Sequence, residues 1–228
     1  MEELGDLHVH TSYSDGLDDP RTVVEYARRK GLKVVAVTDH DTVRGGVEAL
    51  RYGSRDLIVV PGVEVSSRDG HILCLGVTEE PRLEGARAEE VVDWCRSHGG
   101  VTIYAHPFGY LLRASPLPRK RIIEVSKLVD AIEGVNGRTF ARFNREAIAL
   151  AKSLGKPVTA GSDAHVATRV GFVKCRFLKP VDDIDSVLNA IKRGLVEPLG
   201  PMPRAIDVVA SIVGKRIELL LRRIRRVT

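Results

Sequence analysis

Short apolar runs alternate with amphipathic stretches along the whole chain. Leu4–Val9, Lys33–Thr38, Leu57–Val60, Val101–Ala105 and Pro157–Gly161 have the length and β-branched content of buried strands. Pro20 to Lys30 instead places Val23, Val24 and Ala27 on one helical face, with Asp19 as N-cap, Pro20 at N1 and Gly31 as the stop. Further helices are predicted over 43–52, 87–98, 122–127, 138–154 and 184–193. Strands are also predicted over 128–133 and 171–178. Asp69-Gly70, between Val63-Glu64-Val65 and the strand His71–Gly76, is a hairpin signal.

This alternation predicts a parallel sheet with crossover helices. Roughly seven strands with one hairpin favour a closed or nearly closed α/β barrel over an open doubly wound sheet, and the first strand is not followed by G-x-G-x-x-G. Pro198, Pro201 and Pro203 predict a stiff linker. The expected division is a domain over 1–197 and a tail over 198–228, the tail ending in a helix of about Ala205 to Arg226.

Composition narrows the class. A chain of 228 residues with 43% hydrophobic and 29% charged residues is that of a globular domain. No apolar run approaches the ~20 residues of a bilayer span. The start Met1-Glu2-Glu3 lacks the basic and apolar segments of an export signal. Cys74, Cys95 and Cys175 are odd in number and widely spaced, as buried thiols of an intracellular protein would be. A soluble cytoplasmic protein is therefore expected. The net charge of +5 is local: Lys215, Arg216, Arg222, Arg223, Arg225 and Arg226 against Glu218 account for all of it. That points to one basic element rather than a broad nucleic-acid surface.

The chemistry collects at strand ends. His8 and His10 stand one residue apart at the end of the first run, so a strand would project both imidazoles to one face. Asp15 follows in a Ser/Asp/Gly turn. His40, Glu64, His106, Asp163 and His165 each close a later run, and His71 opens the return strand of the hairpin beside Glu64. Any one of these is ordinarily a hydrogen-bonded strand end, a turn or a cap. Six imidazoles and three carboxylates on one face of a barrel are most economically a metal cluster, because the buried charge needs neutralising. Mixed imidazole and carboxylate ligation suits Zn, Mn or Fe. Asp39 and Asp41 flank His40 and are expected either to orient an imidazole or to serve as turn residues. His98, at a helix end, is left out of the site.

The set His8-x-His10, Asp15, Thr38-Asp39-His40-Asp41, Pro61-Gly62-Val63-Glu64, His71, Ala105-His106-Pro107 and Ser162-Asp163-Ala164-His165 resembles the PHP (polymerase and histidinol phosphatase) superfamily over about residues 4 to 178. The resemblance implies a distorted seven-stranded (β/α)7 TIM-like barrel holding two to three divalent metal ions. It implies one ion on His8, His10, Glu64 and Asp163, a second on Asp15, His40 and His165, and a third on His71 and His106 with Glu64 bridging. Spacing alone does not assign these groupings. Asp15, His40 and His165 become the catalytic candidates. The implied activity is metal-dependent phosphoester hydrolysis by a metal-bridged hydroxide.

Arg44, Arg113, Asn136, Arg138 and Arg169 are the substrate-binding candidates, with Arg119 and Lys120 in the same basic loop as Arg113. The expected partner is a phosphorylated small molecule, a nucleotide or bisphosphonucleotide, or an RNA 5′ end. The C-terminal basic helix is either a docked or dimer-forming element or a nucleic-acid or anionic-membrane contact. Stand-alone members resembling this chain carry an insertion between the strands holding the third-metal histidines, whereas only 34 residues separate His71 from His106 here. The alternatives are an idle PHP domain serving as a structural or nucleic-acid-binding module, and a phosphatase of a metabolite such as histidinol phosphate.

Overall fold

The computed structural model describes residues 2–110, 113–200 and 202–225; the side chains of residues 110, 113–114 and 221–225 lie outside that description. The chain runs β1 (Glu3–Val9), α1 (Pro20–Arg29), β2 (Val34–Val37), α2 (Arg44–Ala49), β3 (Ile58–Ser67), β4 (Gly70–Leu75), α3 (Ala88–Ser97) and β5 (Val101–Tyr104). It continues through β6 (Gly109–Tyr110), β7 (Arg113–Ala114), α4 (Arg119–Leu128), β8 (Ala131–Asn136), α5 (Ala141–Ser153), β9 (Val158–Gly161), β10 (Lys174–Phe177), α6 (Ile184–Lys192), β11 (Val196–Leu199) and α7 (Ala205–Arg225).

One mixed sheet takes the order β11-β10-β1-β2-β3-β4-β5-β8-β9, and β6 and β7 form a separate small ribbon. The sheet has nine strands rather than roughly seven: β10, within the predicted run 171–178, pairs antiparallel with β1, and β11, which no pattern marked, pairs antiparallel with β10. It nearly closes into a barrel. Asp163 N–H donates to the His8 carbonyl at 2.9 Å and His10 N–H to the Ala164 carbonyl at 2.9 Å, forming a parallel bridge between β1 and the chain leaving β9. The β3–β4 hairpin turns at Ser67–Gly70 as the Asp-Gly signal predicts, with Gly70 at φ +98°.

The strands read as continuous apolar runs because both faces are buried. On β2, Val34 and Ala36 join the barrel interior with Leu7, Val60 and Leu73, while Val35 and Val37 pack outward with Val23, Val24 and Ala27 of α1. The Asp19 carboxylate caps α1 by accepting from Thr22 N–H at 2.7 Å.

Several boundaries differ from expectation. Helix α4 continues to Leu128, so β8 begins at Ala131; two contiguous apolar patterns carry no mark of where one stops. Helix α5 starts only at Ala141, because Asn136 Oδ1 accepts from the N–H of Arg138 at 2.8 Å and holds a turn there. The run 171–178 becomes strand only at Lys174, since Gly171 sits at φ +73° with its N–H given to Asp6. Pro198 is not in a linker: it lies in β11 at the end of the sheet order, where a missing N–H forfeits no ladder bond.

Candidate metal centre

β1 ends by delivering His8 and His10 into the barrel mouth, both at most 1% exposed. β9 approaches so closely there that a Cβ on Gly161 would stand 2.3 Å from the Cβ of His8. Only glycine permits this approach. His106 and Asp163 leave β5 and β9 with φ of 29° and 52°, a left-handed backbone that costs a non-glycine residue about 1–3 kcal/mol. The surrounding hydrogen bonds hold that strain: His106 N–H donates to Glu133 at 3.0 Å, and Asp163 N–H to the His8 carbonyl at 2.9 Å.

Glu64, buried in β3, is the hub. Its Oε2 lies 3.0 Å from His8 Nε2, 3.2 Å from His10 Nε2 and 3.4 Å from His40 Nδ1. Its Oε1 lies 2.9 Å from His71 Nδ1 and 3.1 Å from His106 Nε2. Asp163 Oδ1 stands 3.4 Å from His10 Nε2 and 3.3 Å from His165 Nδ1, and Asp15 Oδ1 is 2.9 Å from His165 Nε2 and 3.9 Å from His40 Nε2. The fold thus brings together all nine metal-capable residues named from the sequence.

Donor atoms gather within 4.8 Å of one another in sets: His10, Asp15, His40 and His165; His8, His10 and Glu64; His8, His106 and Asp163; His40, Glu64 and His71. Three features of these residues fit divalent cations. His8 Nε2 and His10 Nε2 face each other at 3.1 Å, a gap that a shared proton spans and that turns both nitrogens toward one point where a cation would take the proton's place. His10 Nδ1, His40 Nδ1 and Asp163 Oδ1 are buried with no hydrogen-bond partner among the described residues. Glu64 and Asp163 are each 1% exposed, and a carboxylate so buried requires a counter-charge.

The electrostatics follow from that burial. Burial works against ionisation of Glu64 and Asp163, yet the imidazoles around them, His8 foremost, hold both well below the usual carboxylate range. Burial likewise opposes a charged His10, but its contacts with Asp163 and Glu64 raise it to about 9. His165 goes the other way, pushed down to about 4 by burial and by neighbouring His10.

Glu133 belongs to the site and carries no motif. Its Oε1 accepts from His8 Nδ1 at 3.0 Å, which leaves Nε2, facing Glu64, as the lone-pair nitrogen able to ligate a metal; its Oε2 accepts from Asn136 Nδ2 at 3.0 Å. The one sequence signal was a charge inside the otherwise uncharged strand Ala131–Asn136. Asp6 is a second such residue. Buried in β1, it accepts from Ser162 N–H, Ser162 Oγ and Gly171 N–H, tying the loop of Asp163 to β1; burial raises its carboxyl to about 6.

Of the substrate-binding candidates whose side chains are described, two reach the centre. Asn136 donates to Asp163 Oδ2 at 3.3 Å, and buried Arg138 packs its Nη1 2.7 Å from His165 Nε2 and 3.6 Å from Asp163 Oδ1. Arg44 instead lies over the Tyr13 ring, 3.8 Å from Glu80. Arg169 stacks on Phe172 at 3.8 Å and donates to the Asp207 carbonyl, making it a strut for α7. Arg119 pairs with Glu146, and the Arg113 side chain lies outside the described residues. Among the described residues, Asp39 clamps Thr11 and Ser14 and Asp41 accepts from Ser66 N–H at 2.8 Å, so both serve the loops around His40. No helix among the described residues is long and apolar enough to cross a membrane.

An α/β barrel with a buried imidazole–carboxylate cluster at its mouth is the class of molecule these observations define. A family model for the PHP domain matches residues 6–129 and one described as PHP-associated matches residues 141–196, and the chain belongs to the PHP domain family. An uncharacterized protein of Methanocaldococcus jannaschii is 35% identical over 122 residues, spanning 48% of this chain and 70% of that protein. A phosphoribosyl 1,2-cyclic phosphate 1,2-diphosphodiesterase of Eggerthella lenta is 44% identical over 83 residues, 33% of this chain and only 32% of that enzyme. A solved two-domain protein of Bacteroides vulgatus containing a predicted PHP-like metal-dependent phosphoesterase superposes with a TM-score of 0.73 at 18% identity, over 87% of this chain and 65% of that one.

Proposed function

We propose that this protein is a metal-dependent phosphoesterase acting on a nucleotide, a bisphosphorylated nucleotide or an RNA 5′ end. One observation carries the reading: five imidazoles lie within 3.4 Å of the single carboxylate of Glu64, at the open end of a barrel. His8, His10, Glu64 and Asp163 would hold one divalent ion, and Asp15, His40 and His165 a second. His71 and His106 would hold a third with Glu64 between. Such ions (Zn, Mn or Fe suit these ligands) supply Lewis acidity toward a phosphoryl oxygen and a nucleophile at neutral pH.

The protein's own contribution is position and charge. Glu64 and Asp163 balance the cations from inside the barrel, and Glu133 fixes the ring of His8 so that Nε2 faces inward. Asn136 holds Asp163 at Oδ2, and Arg138 adds positive charge beside Oδ1. A cavity of about 400 Å³ opens beside His71 and His106, lined by Gly70, Tyr104, Pro107, Pro116 and Leu117, with Arg68 and Ser67 also on its wall. Its size and largely apolar lining suit the organic part of a nucleotide-sized ester.

A screen with Mn, Zn or Fe against mononucleotides, 3′,5′-bisphosphonucleotides, sugar phosphates and 5′-phosphorylated RNA tests this. Release of phosphate or nucleotide that disappears in His10→Ala supports the reading. Hydrolysis of nothing with any metal, or full activity in His10→Ala, overturns it. An idle module has no need of a complete ligand set, and here every metal-capable position is filled.

A further inference from the structure

Helix α7 reaches the metal centre. Lys215 Nζ lies 2.6 Å from Oδ2 of Asp15, while Oδ1 of the same carboxylate faces the imidazoles, 2.9 Å from His165 Nε2, 3.9 Å from His40 Nε2 and 4.0 Å from His10 Nδ1. The two oxygens are thereby divided between an outer cation and an inner ligand set. Asp15 needs such a restraint: it sits in a loop, its side chain is 46% exposed, and among the donors of its set it is the most open to water. A solvated carboxylate on a turn otherwise samples several rotamers, and each wrong one removes a ligand.

The helix is built to deliver that cation. Its first turn is anchored by Val208, which is fully buried, and by the Arg169 guanidinium donating to the Asp207 carbonyl at 3.3 Å. Seven residues of helix beyond Val208 carry Lys215 roughly 10 Å from that anchor. Around it Val209, Val213, Ile217 and Leu220 are exposed. A surface ion pair contributes only about 0–1 kcal/mol to stability, so its value is geometric rather than energetic.

We propose that Lys215 is a positioning residue of the metal centre, holding Asp15 so that Oδ1 faces the ion shared with His40 and His165. The inference rests on the metal reading above. It makes the C-terminal helix part of the centre instead of an appendage.

Metal-free wild type, Lys215→Met, Lys215→Arg and Asp15→Asn are titrated with Mn(II), with free ion followed by electron paramagnetic resonance. Wild type should bind more than one ion, and Lys215→Met should bind one of them about ten- to a hundredfold more weakly with the others unchanged. Asp15→Asn should weaken the same ion, and Lys215→Arg should restore most of the affinity. The thermal midpoint of the metal-free protein should not move in Lys215→Met. Unchanged affinity for every ion in Lys215→Met overturns the inference while leaving the metal reading intact. Wild type that binds no Mn(II), Zn(II) or Fe(II) overturns both.

Discussion

Glu133 Oε1 stands 3.0 Å from Nδ1 of His8, and the other oxygen of the same carboxylate accepts from the backbone N–H of His106 at 3.0 Å. One residue of β8 thus fixes a ligand from β1 and a ligand that follows β5. Replacing it separates orientation from ligation. Glu133→Gln should keep the fold and lower metal affinity and turnover about ten- to a hundredfold. Glu133→Ala leaves three buried donors without an acceptor and should cost about 3 kcal/mol or more, read by chemical denaturation of the metal-free protein.

Ligand removal should be more severe. His10→Ala and His40→Ala each take a donor from the set containing Asp15 and His165, and His10 also serves the set with His8 and Glu64. Turnover should fall by more than the ~100-fold upper range of an outer-sphere change. The circular dichroism spectrum should stay that of wild type. Surviving hydrolysis in both variants is the result that sinks the catalytic role.

Metal addition should stabilise the folded chain, since the ligand set is assembled from strands far apart in sequence and is absent from the unfolded state. At free metal about 100-fold above Kd the gain is about 2.7 kcal/mol per ion. Chelator should reverse it. His10→Ala should show a smaller rise in thermal midpoint on the same titration, measured by scanning calorimetry.

Gly161→Ala probes the closure of the barrel. The new methyl would stand 2.3 Å from His8 Cβ, so either β9 or His8 must move. A loss of about 1–3 kcal/mol in stability is expected, together with weaker metal retention after dialysis. An unchanged midpoint and full retention would show that the two strands part without cost.

Arg121 is the control. It directly follows Arg119 and Lys120 of the basic loop, and its guanidinium is 2.7 Å from Asp69 Oδ2 and 3.0 Å from Glu89 Oε2, pinning α4 to α3 and the β3–β4 turn. Arg121→Ala should lower stability by about 1–3 kcal/mol and leave kcat/KM and metal content unchanged.

The strand-end histidines were legible because an imidazole terminating an apolar run is conspicuous in one dimension, and His8 and His10 share a face by the two-residue period alone. The hairpin was legible for a similar reason, since Asp69-Gly70 is a local turn requirement. Asp6 and Glu133 were not. Each is an acid inside a strand whose role depends on partners 156 and 125 residues away, Ser162 and His8. Where the arginines lie was not legible either: Arg44 and Arg169 are near site motifs in sequence, and Tyr13 and Phe172 offer them aromatic faces.

Local chemistry alone determined the order of strands and helices, their caps and turns, and the inventory of metal-capable side chains at the strand ends. Those properties depend on neighbours within a few residues. Tertiary structure decided that Glu64 faces five imidazoles, that the sheet takes nine strands and closes through His8–His10 and Asp163–Ala164, and that Lys215 meets Asp15. Each of those depends on strand register or helix placement, which bring together residues that no periodicity relates.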